Sequence, residues 1–362
     1  MMKIGIAWDF LVDKGGGERE VLLMAKILGA DIITTQYMPE RTYSDFSKIN
    51  VISNPLKTFP IPLLMHKEAS EKFKKIDLSD YDFLISIGDW AKFVSLNKTL
   101  RGRHIHITIS PPRMFSDLRG DVEKNLGLFK RIFFKCWVYF AVRSDKKAMT
   151  EIEEVYVQSL EGRRRIENYY DRKVETIILY PPTEIKKFKS RKAGGYFLSV
   201  QRIMPQKNIE TQIEAFNRMP DKRLIIAGSL IDNKKEYFNR LKASAKENIK
   251  FKINLTENEL IELYSHANCA IQTSTREDFG LVPVEAMASG KPCIAVNEGG
   301  FMETITNDTG VLINKPYVEN LIEVVKGFKI SKYKRSAMLK RANMFSDEVF
   351  EKKLSKIIFS GV

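Results

Sequence analysis

The sequence predicts an α/β protein made of two doubly wound domains, each with a parallel sheet. Three observations predict it. Short β-branched apolar runs alternate with stretches whose apolar residues recur at helical spacing, the pattern of parallel sheets covered on both faces. The alternation comes in two series, separated by the breaker-rich segment YPPTEIKKFKSRKAGG at residues 180–195. The chain has 362 residues, too long for one ordinary core and suited to two domains of about 150–200 residues.

The first series places strands at residues 3–8 (KIGIAW), 31–36, 83–88 (FLISIG), 105–109 and 155–158. Residues 16–28 carry Val21, Leu22, Ala25 and Leu28 at the spacing of a helix laid on that sheet. The second series places strands at residues 196–200, 223–227, 249–253, 269–273, 292–296 and 311–313. Helical patterns fall between them at residues 209–219, 257–266 and 283–289. The domains expected are Rossmann-like, at residues 1–180 and 181–345, with a C-terminal helix in 346–362 packing back towards the first domain. Open parallel sheets bind ligands at the carboxyl ends of their strands, so the expected site lies in the cleft between the domains.

Composition excludes several classes. Apolar residues make up 44% and charged residues 29%, which argues against a disordered or fibrous chain. Cys136, Cys269 and Cys293 form no C-x-x-C pair, which excludes a disulfide framework and a zinc site built on paired thiolates. No apolar run reaches the roughly 18–20 residues that span a bilayer. The start, MMKIGIAWDF, does not read as a signal peptide. These features predict a cytoplasmic protein, either free or peripheral on the cytoplasmic face of a membrane.

The 59 Lys+Arg against 45 Asp+Glu give a formal net charge of +14. Residues 101–150 hold 11 basic and 4 acidic side chains, so 7 of the 14 surplus charges lie in that stretch. A solvated lysine-rich surface accounts for this, and so does a surface that meets anionic lipid or a phosphorylated substrate. Nucleic acid is not expected as a partner, because no recognisable reader motif is present. Residues 126–142, LGLFKRIFFKCWVYFAV, are apolar and aromatic, interrupted by Lys130, Arg131 and Lys135. Such a segment suits a buried helix with snorkelling cations or an anionic bilayer surface.

Three segments carry chemistry. In residues 275–300, TREDFGLVPVEAMASGKPCIAVNEGG, Glu277 and Glu285 stand eight apart. With a helix starting near Pro283, Glu277 falls in the preceding loop and Glu285 in the first turn. The backbone N–H groups of Gly280, Leu281 and Val282 would then point out of the helix start, which suits a phosphate. A carboxylate beside such a site can accept two hydrogen bonds from a sugar or ribose diol. In residues 199–216, SVQRIMPQKNIETQIEAF, Arg202 and Lys207 sit on a strand-to-helix loop and would neutralise charge on a departing diphosphate. The third segment, Gly15-Gly16-Gly17, opens the first helix and would expose backbone donors to an anion or a polyol. It is not G-x-G-x-x-G, which weakens a nicotinamide reading. Each segment also has a plainer reading: a capped helix, two solvated cations, a tight turn.

In this order and spacing the three segments resemble a retaining glycosyltransferase of family 4 with the GT-B fold, over nearly the whole chain. REDFGLVPVEAMASGKPCIA is especially similar to mannosyltransferases of surface-polysaccharide and O-antigen assembly. The resemblance implies that Glu277 contacts the transferred sugar and Glu285 the nucleotide ribose. It implies that Arg202 and Lys207 clamp the donor diphosphate, with Gly15–Gly17 and the amides of Gly280, Leu281 and Val282 also serving the donor. Relatives often carry His-x-Pro-Pro-Arg where this chain has Ile109-Ser110-Pro111-Pro112-Arg113, so Ile109 takes the histidine position. His106, three residues upstream, and Arg113 are the acceptor-side candidates; the plainer reading of His104 and His106 is strand residues with partners in the fold.

The implied activity moves a hexose, mannose from GDP-mannose, to a glycan or a polyprenyl-diphosphate-linked acceptor. No D-x-D pair stands beside the motifs, so metal-independent turnover without a cofactor is expected. The alternatives are a non-catalytic sugar-nucleotide-binding protein, which fits Ile109, and a sugar-nucleotide epimerase, for whose acid/base chemistry four histidines and Ile109 offer few groups.

Overall fold

The computed structural model describes residues 2–58, 62–124, 126–230 and 234–359. The chain divides into two units, Met1–Leu179 and Tyr180–Val362.

The first unit holds six strands: β1 Ile4–Trp8, β2 Asp31–Thr34, β3 Val51–Ser53, β4 Phe83–Ile87, β5 Arg103–Thr108 and β6 Glu154–Val157. They form one parallel sheet in the order β3-β2-β1-β4-β5-β6. β1 and β4 are buried on both faces, as in a sheet covered on both sides, and Ile6, Ile85 and Ile32 of neighbouring β2 are fully buried. Strand β3 is absent from the sequence expectation. It is a three-residue edge strand, half-exposed, with no apolar run to mark it. The helix Gly16–Leu28 spans the predicted residues and ends on Gly29, whose φ of 60° closes the helix in the left-handed region.

This unit also buries an ion pair. Lys92 and Asp145, 2% and 0% exposed, pair directly, and the Tyr170 hydroxyl joins them, donating to Asp145 Oδ2 at 2.7 Å and accepting from Lys92 Nζ at 3.0 Å.

The second unit repeats the topology. Its strands are β7 Tyr196–Val200, β8 Arg223–Gly228, β9 Ile249–Ile253, β10 Cys269–Gln272, β11 Cys293–Val296 and β12 Gly310–Ile313. All are parallel, in the order β12-β11-β10-β7-β8-β9. In each sheet the strand order reverses direction between two central neighbours, β1/β4 in the first and β7/β10 in the second. A ligand of an open sheet binds outside the carboxyl ends at such a point.

The helix expected from Pro283 runs Leu281–Ala288, with Gly280 as its N-cap. Pro283 is therefore the third helical residue, where its missing N–H costs no intrahelical bond. Glu285 then moves out of the first turn into the second. The helix Glu257–His266 opens with a full capping box, in which Thr256 and Glu259 satisfy each other's backbone. The C-terminal helix Asp347–Phe359 groups with the second unit, and residues 360–362 lie outside the described residues.

Candidate active site

Two loops leave the carboxyl ends of β7 and β10 and meet. Lys207 Nζ donates to Glu277 Oε2 at 2.7 Å, and Ser274 Oγ donates to the same oxygen at 2.9 Å. The residues on either side explain why these two side chains arrive together. Thr273, just past β10, donates its Oγ1 hydrogen towards the carbonyls of Lys207 and Asn208 at 2.9 and 3.0 Å, and Gln212 Nε2 donates to Thr273 Oγ1 at 2.7 Å. Asn208 follows Lys207 with φ 51°, and Arg276 precedes Glu277 with φ 55°. Both are non-glycine residues in the left-handed region, a strained conformation that clusters at functional sites. Arg276 N–H is held by Glu298 Oε1 at 3.0 Å, and Gly300 N–H donates to Glu277 O at 2.9 Å.

Below this loop, Tyr180 stacks on Phe279 at 5.4 Å between ring centroids, and Phe345 closes the cluster against both rings. The first residue of the Tyr-Pro-Pro segment thus supports the loop that carries Glu277.

Gly280 turns the chain from that loop into the helix Leu281–Ala288. Its φ is 84°, and a Cβ there would come 2.6 Å from Phe301, so only glycine fits without displacement. The N–H groups of Gly280, Leu281 and Val282 open the helix, where unpaired donors and the helix dipole favour an anion. Glu285, one turn on, is half-buried, and the Tyr264 hydroxyl donates to its Oε2 at 2.6 Å. Burial, followed by the Glu285 carboxylate, pushes the Tyr264 phenol well above its ordinary range, so it stays a donor. Arg202 is exposed on the loop after β7.

The first unit places its candidates differently. Gly15 is the N-cap of the helix Gly16–Leu28, and the Glu18 carboxylate lies against Gly15 where a Cβ would stand. A Cβ on Gly17 would meet the Trp8 indole at 2.7 Å. With the buried Glu18 beside it, the loop suits a hydroxyl-rich ligand better than a phosphate. Arg113 pairs with Asp117 through both ends of its guanidinium, at 2.8 and 3.2 Å, and is 30% exposed.

His106 is fully buried within β5. Its Nδ1 lies 3.0 Å from the Ser86 carbonyl, so Nδ1 carries the proton, while Ser86 Oγ bridges to His104 Nε2 at 2.8 Å. Burial holds both imidazoles neutral, His104 at a pKa of about 4 and His106 well below its ordinary value. As an acceptor-side candidate His106 is therefore corrected: its ring belongs to the sheet interior and no surface reaches it.

Thr273, Ser274 and Glu298, which orient the two loops, and Tyr264, which holds Glu285, are absent from the sequence expectation. The usable signal was local: a Thr-Ser pair directly after a buried strand, and an acid-Gly-Gly run directly after the next one.

The family model described as glycosyl transferases group 1 matches residues 182–344. A human protein named GDP-Man:Man(3)GlcNAc(2)-PP-Dol alpha-1,2-mannosyltransferase is 29% identical over 210 residues, 49% of this chain and 42% of the relative. A Corynebacterium glutamicum GDP-mannose-dependent monoacylated alpha-(1-6)-phosphatidylinositol monomannoside mannosyltransferase is 29% identical over 175 residues, 44% of this chain and 45% of its own. The matched part is thus less than half the length of these curated relatives. Among solved structures, sucrose-phosphate synthase from Thermosynechococcus elongatus superposes with a TM-score of 0.79 at 16% identity, covering 100% of both chains. The Anabaena protein HepE, in complex with UDP and glucose, gives a TM-score of 0.75 at 16% identity over 99% of both. These superpositions establish the GT-B fold, two Rossmann-like domains. Lys207, Glu277 and Glu285 all lie within residues 182–344, the part of the chain that the glycosyl transferases group 1 model matches.

Proposed function

We propose that the chain is a retaining glycosyltransferase that moves mannose from GDP-mannose to an acceptor hydroxyl on a glycan or a polyprenyl-diphosphate-linked glycan. The observation that carries the reading is the Lys207–Glu277 contact at 2.7 Å, beside a helix start whose first N–H groups come from Gly280, Leu281 and Val282. A cation, a carboxylate and a helix N-terminus at one sheet's switch point suit a sugar diphosphate. The mannose and the nucleotide come from the names of the relatives.

In this reading the bond between the anomeric carbon and the β-phosphate oxygen breaks, and its electron pair leaves with the nucleotide. Lys207, Arg202 and the three amides stabilise that developing charge. The acceptor hydroxyl attacks from the face the phosphate leaves, and its proton passes to the departing phosphate oxygen, which gives retention. Glu277 accepts hydrogen bonds from the sugar hydroxyls and Glu285 from the ribose diol, fixing the reacting atoms. The protein's own cations supply the countercharge, so turnover is proposed without a metal.

A donor panel tests the reading. GDP-mannose is expected to raise the melting temperature more than UDP-glucose or GDP alone, and GDP release should accompany transfer with the α configuration kept in the product. An inverted product overturns the retaining assignment. Activity lost in chelator and restored by Mg²⁺ or Mn²⁺ overturns the metal-free one. Tight donor binding with neither hydrolysis nor transfer, across acceptors, makes the chain a binding protein instead.

A further inference from the structure

The helix Leu128–Thr150 is apolar on two sides. One side, through Phe134, Val138, Ala141 and Met149, is buried in the first domain. The other leaves Leu128, Phe129, Ile132, Phe133, Tyr139 and Phe140 between 56% and 87% exposed. At 100° per residue these six and Cys136 fall in one continuous stripe along the first four turns. Next to it, Met114, Val122, Leu126, Phe129 and Phe133 line an apolar pocket of about 480 Å³, in which Lys130 is the charged residue.

The charges carried by the helix itself are one-sided, and of its cations Lys135 pairs with Glu123, just before the helix, at 3.7 Å. The helix carries six basic residues (Lys130, Arg131, Lys135, Arg143, Lys146, Lys147) and one acid, Asp145, which is buried against Lys92. Of the six, all but Arg131 are exposed. A partner for this face must bring apolar depth together with negative charge. A second copy of the chain would set the same cations opposite each other across a two-fold axis. No helix among the described residues is long and apolar enough to cross a membrane, so the segment would lie on a bilayer rather than span it.

We propose that this face of the helix Leu128–Thr150 docks the protein on an anionic bilayer. Phe129, Phe133 and Phe140 enter the headgroup–acyl boundary, and Lys130, Arg143, Lys146 and Lys147 meet the lipid phosphates. The proposal stands on the exposed stripe and its charges, and holds whichever sugar the protein transfers.

The test uses the full chain with vesicles of phosphatidylcholine alone and of phosphatidylcholine mixed with phosphatidylglycerol. Binding is expected to be about tenfold stronger to the anionic vesicles and to weaken in high salt. Cys136 is exposed within the stripe while Cys269 and Cys293 are buried, so a polarity-sensitive fluorophore on Cys136 should shift to the blue on binding. The triple variant Phe129→Ser/Phe133→Ser/Phe140→Ser should stay folded, bind GDP-mannose as the parent does and stay with the supernatant. Four outcomes overturn the proposal: no sedimentation with anionic vesicles at low salt, equal binding to both vesicles, an unshifted fluorophore, or a solution dimer that the triple variant dissociates. Loss of donor binding in the parent chain would instead count against the glycosyltransferase reading.

Discussion

Tyr264, fully buried, donates its hydroxyl hydrogen to Glu285 Oε2 at 2.6 Å. A carboxylate one turn into a helix is thereby held in place by a buried phenol. Replacing Tyr264 by Phe removes the bond and keeps the ring. The expected result is a donor KM raised about three- to tenfold with kcat within about twofold, since hydrogen bonds to charged groups contribute about 1.5–3 kcal/mol and only part would report on binding. Steady-state kinetics with varied donor decides it. An unchanged KM would separate Glu285 from the ribose.

The Lys207–Glu277 pair makes the sharper prediction. Both side chains are partly exposed, 18% and 23%, so their loss should change stability by less than about 1 kcal/mol. Glu277→Ala is expected to lower kcat about 100- to 1,000-fold while the melting temperature stays within a few degrees. Near-parental turnover in that variant would remove Glu277 from the reacting centre. Glu277→Gln tests the same site with its shape kept, and should recover sugar binding more than rate.

Most of the fold was legible because burial on both faces writes strands as short apolar runs. β7 and β9 stand where their patterns put them, residue for residue, and the helix Glu257–His266 likewise. β3 was not legible, since a half-exposed edge strand of three residues needs no apolar run. The helix Leu281–Ala288 began two residues before Pro283 because the turn is made by Gly280 against Phe301, a tertiary contact invisible to local pattern. The same limit applies to the site. Lys207 and Glu277 are 70 residues apart in sequence, and what joins them is Thr273, whose hydroxyl binds the carbonyls of the other loop. The partners of His106 were not legible for a related reason. Strand alternation told which face it shares with His104, but not that Ser86 on β4, opposite His106, hydrogen-bonds to both rings.

The buried pair of Lys92 and Asp145 predicts a stability signature unrelated to catalysis. Lys92→Met leaves the Asp145 carboxylate buried with only the Tyr170 hydroxyl, and should cost about 3–5 kcal/mol in urea unfolding of the first domain. Adding Asp145→Leu should recover most of that loss, because the second change removes the uncompensated charge. A double variant no better than the single one would show that the pair is not the coupled unit its geometry describes.

Glu20 gives the pH dependence. It is 5% exposed in the helix Gly16–Leu28, and burial raises its pKa from 4.5 to about 7, opposed only in part by a hydrogen bond from Gln158 Nε2. A carboxyl whose folded value is raised contributes fully below its unfolded value and loses that contribution as pH rises through the folded one, because the unfolded chain ionises first. The loss therefore falls between about pH 4.5 and pH 7 and amounts to roughly 3 kcal/mol at most. His66 runs the other way: burial lowers its pKa from 6.5 to about 4, so its contribution is present above 6.5 and fades on acidification. The two must be separated by mutation rather than read from one profile. Glu20→Gln keeps an acceptor for Gln158 and cannot ionise, so the variant should match the parent near pH 4.5 and exceed its stability increasingly up to pH 8. Parallel melting-temperature profiles of the two proteins measure the difference, and a constant offset across that range would mean that Glu20 titrates normally in the folded state.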